Sequence, residues 1–254
     1  MCLLVFAWQV DAEFPLMVGA NRDEMLGRPA LAVDTLHEDG PRILGGRDLL
    51  AGGTWLAVNE HGLVAGLTNR PSPGGRDLAK RSRGLLPLMA AGHRRAEDGV
   101  DELVRQVRPG AFNPAWLLVG DRDSLFYVEL GVDEAPDVRR LAPGIHVLEN
   151  VPLGGSSPKV DRVRHLLDAA TETGRSLWTA LPALLGDHTV PDAVDLSQRD
   201  GDAFTICMHL DGYGTRSAAL VRVSAAPEEG PGMWVADGPP CRSPFDDAGG
   251  RWTV

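Results

Sequence analysis

A chain of 254 residues, 43% hydrophobic and 24% charged, can bury a sizeable core, which excludes disorder; its length fits one large domain or two small ones. A net charge of −10 and a pI near 5.1 argue against a nucleic-acid binder, because affinity for the phosphate backbone comes from Lys and Arg releasing counterions. Three cysteines, Cys2, Cys207 and Cys241, are odd in number and far apart, so a reducing compartment is expected rather than a disulfide framework.

The chain opens MCLLVFAWQV. Cys2–Val10 predicts a short buried strand, and Phe14–Asn21 predicts its hairpin partner across DAEF. Glu24 to Ala51, with Gly and Pro throughout, predicts irregular surface loop. Thr54–Val58 and Leu63–Thr68 predict strands around the turn NEHG, and residues 70–84 a polar loop. Leu85–His93 and Gly99–Arg108 predict helices, the second from the stripe Val100, Leu103, Val104, Val107 and its stop at PG 109–110. Ala115–Gly120 and Leu125–Leu130 predict a hairpin, and Ile145–Glu149 a short strand. Helices are predicted over Val160–Ala170 and Leu177–Leu185, then strands over Phe204–Met208, Ser217–Val223 and Met233–Ala236. Hairpins in two batches with segregated helices predict an α+β fold of mainly antiparallel sheet, two stacked sheets covered by helices. No repeat or linker divides the chain, so residues 1–254 are read as one domain.

The apolar start is too short to span a membrane and lacks a basic leader. No later segment reaches 18 apolar residues, so no membrane span and a cytoplasmic location are expected. The seven histidines never fall at HxxxH or HxH spacing; no sequence-local metal site is expected, and one assembled from distant residues stays open.

Cys2 admits two readings. One is a buried thiol, since Cys is among the most buried residue types. The other is a nucleophile that becomes the N-terminus once Met1 is removed. It would then carry both a thiol and an α-amine with an ordinary pKa near 8, able to act as the base for its own side chain. In GANRDEM, Arg22 would lower the thiol pKa by its charge and Asp23 would hold the amine, if the turn lies beside the first strand; otherwise these are a solvated Arg–carboxylate turn. Asn69, in GLTNR, is a turn residue or a neutral donor for an oxyanion. Asn150 ends another short strand, Arg216 precedes one in YGTRS, and Asn21, Asn69, Asn150 and Arg216 are all placed at strand ends. Trp8, Trp55, Trp116 and Trp178 are read as core filling.

Seven motifs occur in order: MC at the start, ANRDE at 20–24, GGRDLLAGGTW at 45–55, GLTNR at 66–70, SRG at 82–84, PKV at 158–160 and YGTRS at 213–217. Together they resemble the NRDE family, the group related to transport and Golgi organization protein 2, over roughly residues 1–223. The resemblance implies an N-terminal-nucleophile hydrolase-like αββα sandwich. It implies Cys2 as nucleophile, Arg22 and Asp23 beside it, Asn69 and Asn150 as the oxyanion-side asparagines, and Arg216 as the distal arginine. The implied activity is hydrolysis or acyl transfer at an amide or (thio)ester bond of a small molecule through a Cys2 acyl-enzyme, most simply an amidohydrolase, with no cofactor and no metal. The alternative is a non-catalytic carrier of haem or an acyl lipid. Two departures bear on substrate: the family's tryptophan and proline before PKV are replaced in SSPKV, and the linker PSPGGRDLAK is unusually polar.

Overall fold

The computed structural model describes residues 2–72, 74–191, 194 and 201–252. Two antiparallel sheets lie face to face. The first comprises β1 (Cys2–Trp8), β2 (Leu16–Met25), β10 (Gly144–Leu148), β11 (His209–Leu210), β12 (Tyr213–Val223), β13 (Gly232–Ala236) and β14 (Asp246–Asp247). Its order is β10-β1-β2-β12-β13-β14, with β11 also paired to β12. The second runs β3-β4-β5-β6-β7-β8-β9: β3 (Ala30–His37), β4 (Ile43–Asp48), β5 (Leu56–Asn59), β6 (Val64–Asn69), β7 (Ala115–Gly120), β8 (Leu125–Leu130) and β9 (Asp137–Arg140). Helices α1 (Leu85–Ala91) and α2 (Ala96–Gln106) cover the second sheet; α3 (Pro158–Glu172) and α4 (Leu177–Leu185) cover the first.

Strand alternation makes these layers. In β1, Leu4, Phe6 and Trp8 enter the seam between the sheets, where they meet Val18, Leu56, Leu118 and Val221. Leu3 and Val5 point the other way, onto Val160, Val163, Leu181 and Leu185 of α3 and α4. A strand buried on both faces reads as an unbroken apolar run, which is why CLLVFAW shows no polar alternation. Burying Phe6 completely contributes about 3 kcal/mol. On the far side of the second sheet, Ala65, Leu117, Val119 and Val128 pack on Leu86, Val100 and Leu103. Ser157 caps α3 by accepting from the Val160 amide, with Pro158 at the first helical turn. No helix among the described residues is long and apolar enough to cross a membrane.

The main hairpins and helices fall where the sequence predicts them; the two-residue strands β11 and β14 are additional, and four larger segments differ. Residues 24–51 are not loop: they hold β3 and β4. Gly46 is needed there, because a Cβ at that position would overlap the Trp55 ring. The polar edge strand β9 also escaped prediction; Arg139 and Arg140 lie over the rings of Tyr127 and Phe126. The strand predicted over Phe204–Met208 does not form. There, Asn21 binds the Ile206 carbonyl, the Cys207 amide donates to the Asp187 carbonyl, and the Met208 amide donates to Thr215 Oγ1, so the backbone is satisfied outside a ladder. Finally, Asn21-Arg22-Asp23-Glu24 is not a turn beyond a strand but part of β2, held between β1 and β12.

Candidate active site

The β1–β2 register sets Cys2 directly opposite Arg22. Cys2 therefore continues the inward row Leu4, Phe6, Trp8 to the open end of the seam, where the apolar filling gives way to a cleft of about 120 Å³. Cys2, Arg22, Asp23 and Asn69 all line this cleft.

Arg22 is 4% exposed and its guanidinium lies 4.6 Å from the Trp55 ring centroid, a cation–π contact in a desolvated place. Glu24 and Asp48 approach it at 3.7 and 3.8 Å, and Arg28 binds Asp48 at 2.7 Å. Burial alone would raise the Asp48 carboxyl, but hydrogen bonds from Arg28 and the Ala51 and Leu50 amides hold it below its ordinary range. The cleft wall depends on close backbone approach: Gly53 and Gly84 pack so that a Cβ on Gly53 would meet Gly84 at 2.5 Å, and the Thr54 amide donates to the Gly84 carbonyl.

Asn21 and Asp23 flank Arg22 and leave β2 on its opposite face, Asp23 near the strand's end still bordering the cleft. Asn21 is fully buried and donates to the carbonyls of Leu185 and Ile206, a structural role. Asp23 binds Lys159 Nζ at 3.1 Å and accepts from Thr215 Oγ1 at 2.6 Å, while the Tyr213 hydroxyl donates to its backbone carbonyl. Both charges of this pair are essentially excluded from water. Lys159, Thr215 and Tyr213 were not singled out from the sequence. The signal was present, since PKV and YGTRS are two of the seven motifs and a lysine is seldom fully buried unless paired.

Burial pushes the Cys2 thiol above its ordinary range, and the Asp23 carboxylate adds to the rise; together they outweigh the pull of nearby positive charge, Arg22 included. Arg22 thus acts in the direction expected of it without making the thiol acidic.

The other candidates separate. Asn69 ends β6 at the cleft. Asn150 does not line the cleft; it follows β10 and its Nδ2 donates to the Asn69 carbonyl at 2.5 Å, so it reaches the site through Asn69. Arg216 is not at a strand end. It is the extra residue of a bulge in β12, between Thr215 opposite Asp23 and Ser217 opposite Arg22, and it lines a small neighbouring void with Arg22 and Trp55. Among the described residues, the buried Arg216 Nε and Asn150 Oδ1 have no hydrogen-bond partner. Arg76 and Arg83 bring two more guanidiniums to the cleft, and no carboxylate among the described residues forms an ion pair with either. Burial, with Arg76 adding repulsion, lowers the Arg83 guanidinium from its ordinary range.

A family model described as Transport and Golgi organisation 2 matches residues 1–228. A Transport and Golgi organization protein 2 homolog of Bos taurus is 28% identical over 252 residues, 89% of each chain. Among solved structures, a Caenorhabditis elegans N-acylethanolamine-hydrolyzing acid amidase (NAAA) ortholog matches with a TM-score of 0.56 at 15% identity, over 86% of this chain and 92% of its own. A variant of conjugated bile acid hydrolase from Clostridium perfringens matches with 0.55 at 12% identity, over 93% and 89%. The fold is that of the N-terminal-nucleophile hydrolases, and the chain belongs to the Transport and Golgi organisation 2, or NRDE, family.

Proposed function

We propose that this chain is a cysteine N-terminal-nucleophile hydrolase or acyl transferase that cleaves an amide or (thio)ester bond of a small molecule through a Cys2 acyl-enzyme. The observation that carries this reading is the position of Cys2: the last inward residue of an otherwise apolar strand, opening opposite Arg22 into a polar cleft. Removal of Met1 frees an α-amine on the same residue. That amine takes the thiol proton as sulfur attacks the carbonyl carbon, and the Asn69 side-chain amide donates to the oxyanion. Collapse expels the leaving group with the proton and leaves a thioester, which water or another acceptor then releases. Asp23, fixed by Lys159 and Thr215, positions the end of β2 beside the nucleophile. Asn150 positions Asn69, and Arg216 shares its void with Arg22.

The acid amidase and the hydrolase that share this fold support hydrolysis, and the amidase supports an amide as the bond cleaved. Arg76 and Arg83, unmatched by carboxylates, support a substrate carrying an acidic group. The small, charged cleft favours a short polar acyl group over the haem or long acyl chain of a carrier.

The test is intact mass before and after brief substoichiometric iodoacetamide at neutral pH, with the alkylated site mapped. Loss of Met1 and preferential labelling of Cys2 over Cys207 and Cys241 are expected, followed by an acyl adduct on Cys2 with activated esters bearing a carboxylate. A retained Met1 with an inert Cys2 would overturn the catalytic reading and favour a ligand carrier.

A further inference from the structure

Four side chains that the cleft does not use converge on the outer side of the first sheet. Cys207 is fully buried just before β11, and His209 begins that strand two residues on. Cys241 follows β13, and His188 follows α4. Cys207 Sγ lies 3.6 Å from Cys241 Sγ and 3.6 Å from His209 Nε2, and His209 Nε2 lies 3.2 Å from Cys241 Sγ. One ligand atom each from His188, His209 and Cys241 fall within 4.8 Å of one another.

We propose that Cys207, Cys241, His209 and His188 form a structural zinc(II) site. Tetrahedral zinc holds thiolate sulfur at about 2.3 Å and imidazole nitrogen at about 2.0–2.1 Å, which sets S···S near 3.8 Å and S···N near 3.6 Å. The three edges among Cys207, Cys241 and His209 already have these lengths to within a few tenths of an ångström, and His188 approaches the His209–Cys241 edge to within 4.8 Å as the fourth ligand. They fit less well with a disulfide, whose sulfurs bond at about 2.0 Å. Two soft sulfurs with two imidazoles in a compact tetrahedron select zinc over magnesium or calcium, which take oxygen ligands. On binding, the two thiols release their protons to solvent, and the two thiolates neutralise the dication while both imidazoles stay neutral.

Hydrogen bonds hold the ligands from outside. The Cys207 amide donates to the Asp187 carbonyl, Thr205 Oγ1 donates to the Cys207 carbonyl, and Asp187 is itself gripped by Arg162 at 2.8 Å. With four protein ligands the site is closed and offers no position for substrate. Its effect is mechanical. It ties the end of α4, the approach to β11 and the turn after β13 into one knot, directly behind β2, where Asn21 holds the carbonyls of Leu185 and Ile206.

The test uses the full chain, purified under reductant, equilibrated with zinc and desalted, with metal measured by mass spectrometry. About one equivalent per chain is expected, and cobalt(II) should give the intense visible bands and thiolate charge transfer of a tetrahedral sulfur–nitrogen site. Cys241→Ser and His209→Ala should each lose the retained zinc, while Cys2→Ala keeps it. Cys241 is partly exposed, so its serine variant tests the ligand set without opening the core. Less than a tenth of an equivalent on the wild-type chain, full retention by both ligand variants, or a 207–241 disulfide that forms in excess zinc would each overturn the site.

Discussion

Cys2 is half-buried at the cleft and Cys207 fully buried, and burial pushes both thiols upward, Cys207 to about 12. Their neighbours differ. Cys2 faces a guanidinium, an asparagine and open space; Cys207 faces a second sulfur and the His209 imidazole. Enclosure by itself makes neither sulfur reactive, because the thiolate is the nucleophile and the ligand alike. Under the two proposals, what distinguishes them is where the proton would go: to an amine on the same residue at Cys2, and out to solvent in exchange for a cation at Cys207.

The largest effect separating the two regions is expected from Cys2→Ala. It should abolish acyl-adduct formation and lower turnover at least ~10³-fold while leaving zinc content unchanged; turnover and metal analysis on one preparation check both. Next comes Lys159→Met, which strands the buried Asp23 carboxylate and should cost about 3–5 kcal/mol of stability by urea unfolding. A cost near zero would show that Thr215 and Tyr213 suffice for Asp23. Asn69→Ala should lower kcat about 10²–10³-fold with little change in stability, the signature of a lost oxyanion donor. If KM alone moves, Asn69 binds ground-state substrate.

A pH series sharpens the contrast further. In chains that keep Met1, the raised Cys2 thiol should alkylate slowly near pH 7 and about tenfold faster per added pH unit, whereas processed chains should label readily at neutral pH. The smallest effect concerns acid. The Asp48 and Asp187 carboxyls are held below 3.8, Asp48 chiefly by Arg28 and Asp187 by Arg162 against the opposing effect of burial. Their folded-state values are depressed, so their contribution is complete above about pH 5 and fades as the pH falls through those lowered values. Arg28→Gln should therefore flatten acid unfolding below pH 4.

Much of this was legible in the sequence wherever local pattern decides. The hairpin 115–130 and helix 177–185 have the predicted bounds because short apolar runs and turn residues mark them unambiguously. β3 and β4 were hidden because their glycines and polar residues look like loop until Trp55 is seen lying over Gly46. Cys2, Arg22, Asp23 and Asn69 were legible as candidates from position and type. That Asp23 pairs with Lys159, more than 130 residues on, was not, because that pairing depends on how α3 is placed over the first sheet. The His188–Cys207–His209–Cys241 cluster was invisible for the same reason. Spacing reveals only ligands that are close in sequence, and this one is assembled from three separate chain ends.

The first hairpin behaves as a parity gauge. Along β2, even positions such as Arg22 look toward the cleft, and odd ones such as Asn21 look toward the helices; along β1, Cys2 shares its side with Leu4, Phe6 and Trp8. Chain editing is therefore constrained by arithmetic as much as by residue type. Removing a single residue between Leu3 and Trp8 would turn the leading thiol toward the helices with every side chain still present, whereas removing two would shorten the strand and keep the thiol facing its arginine side.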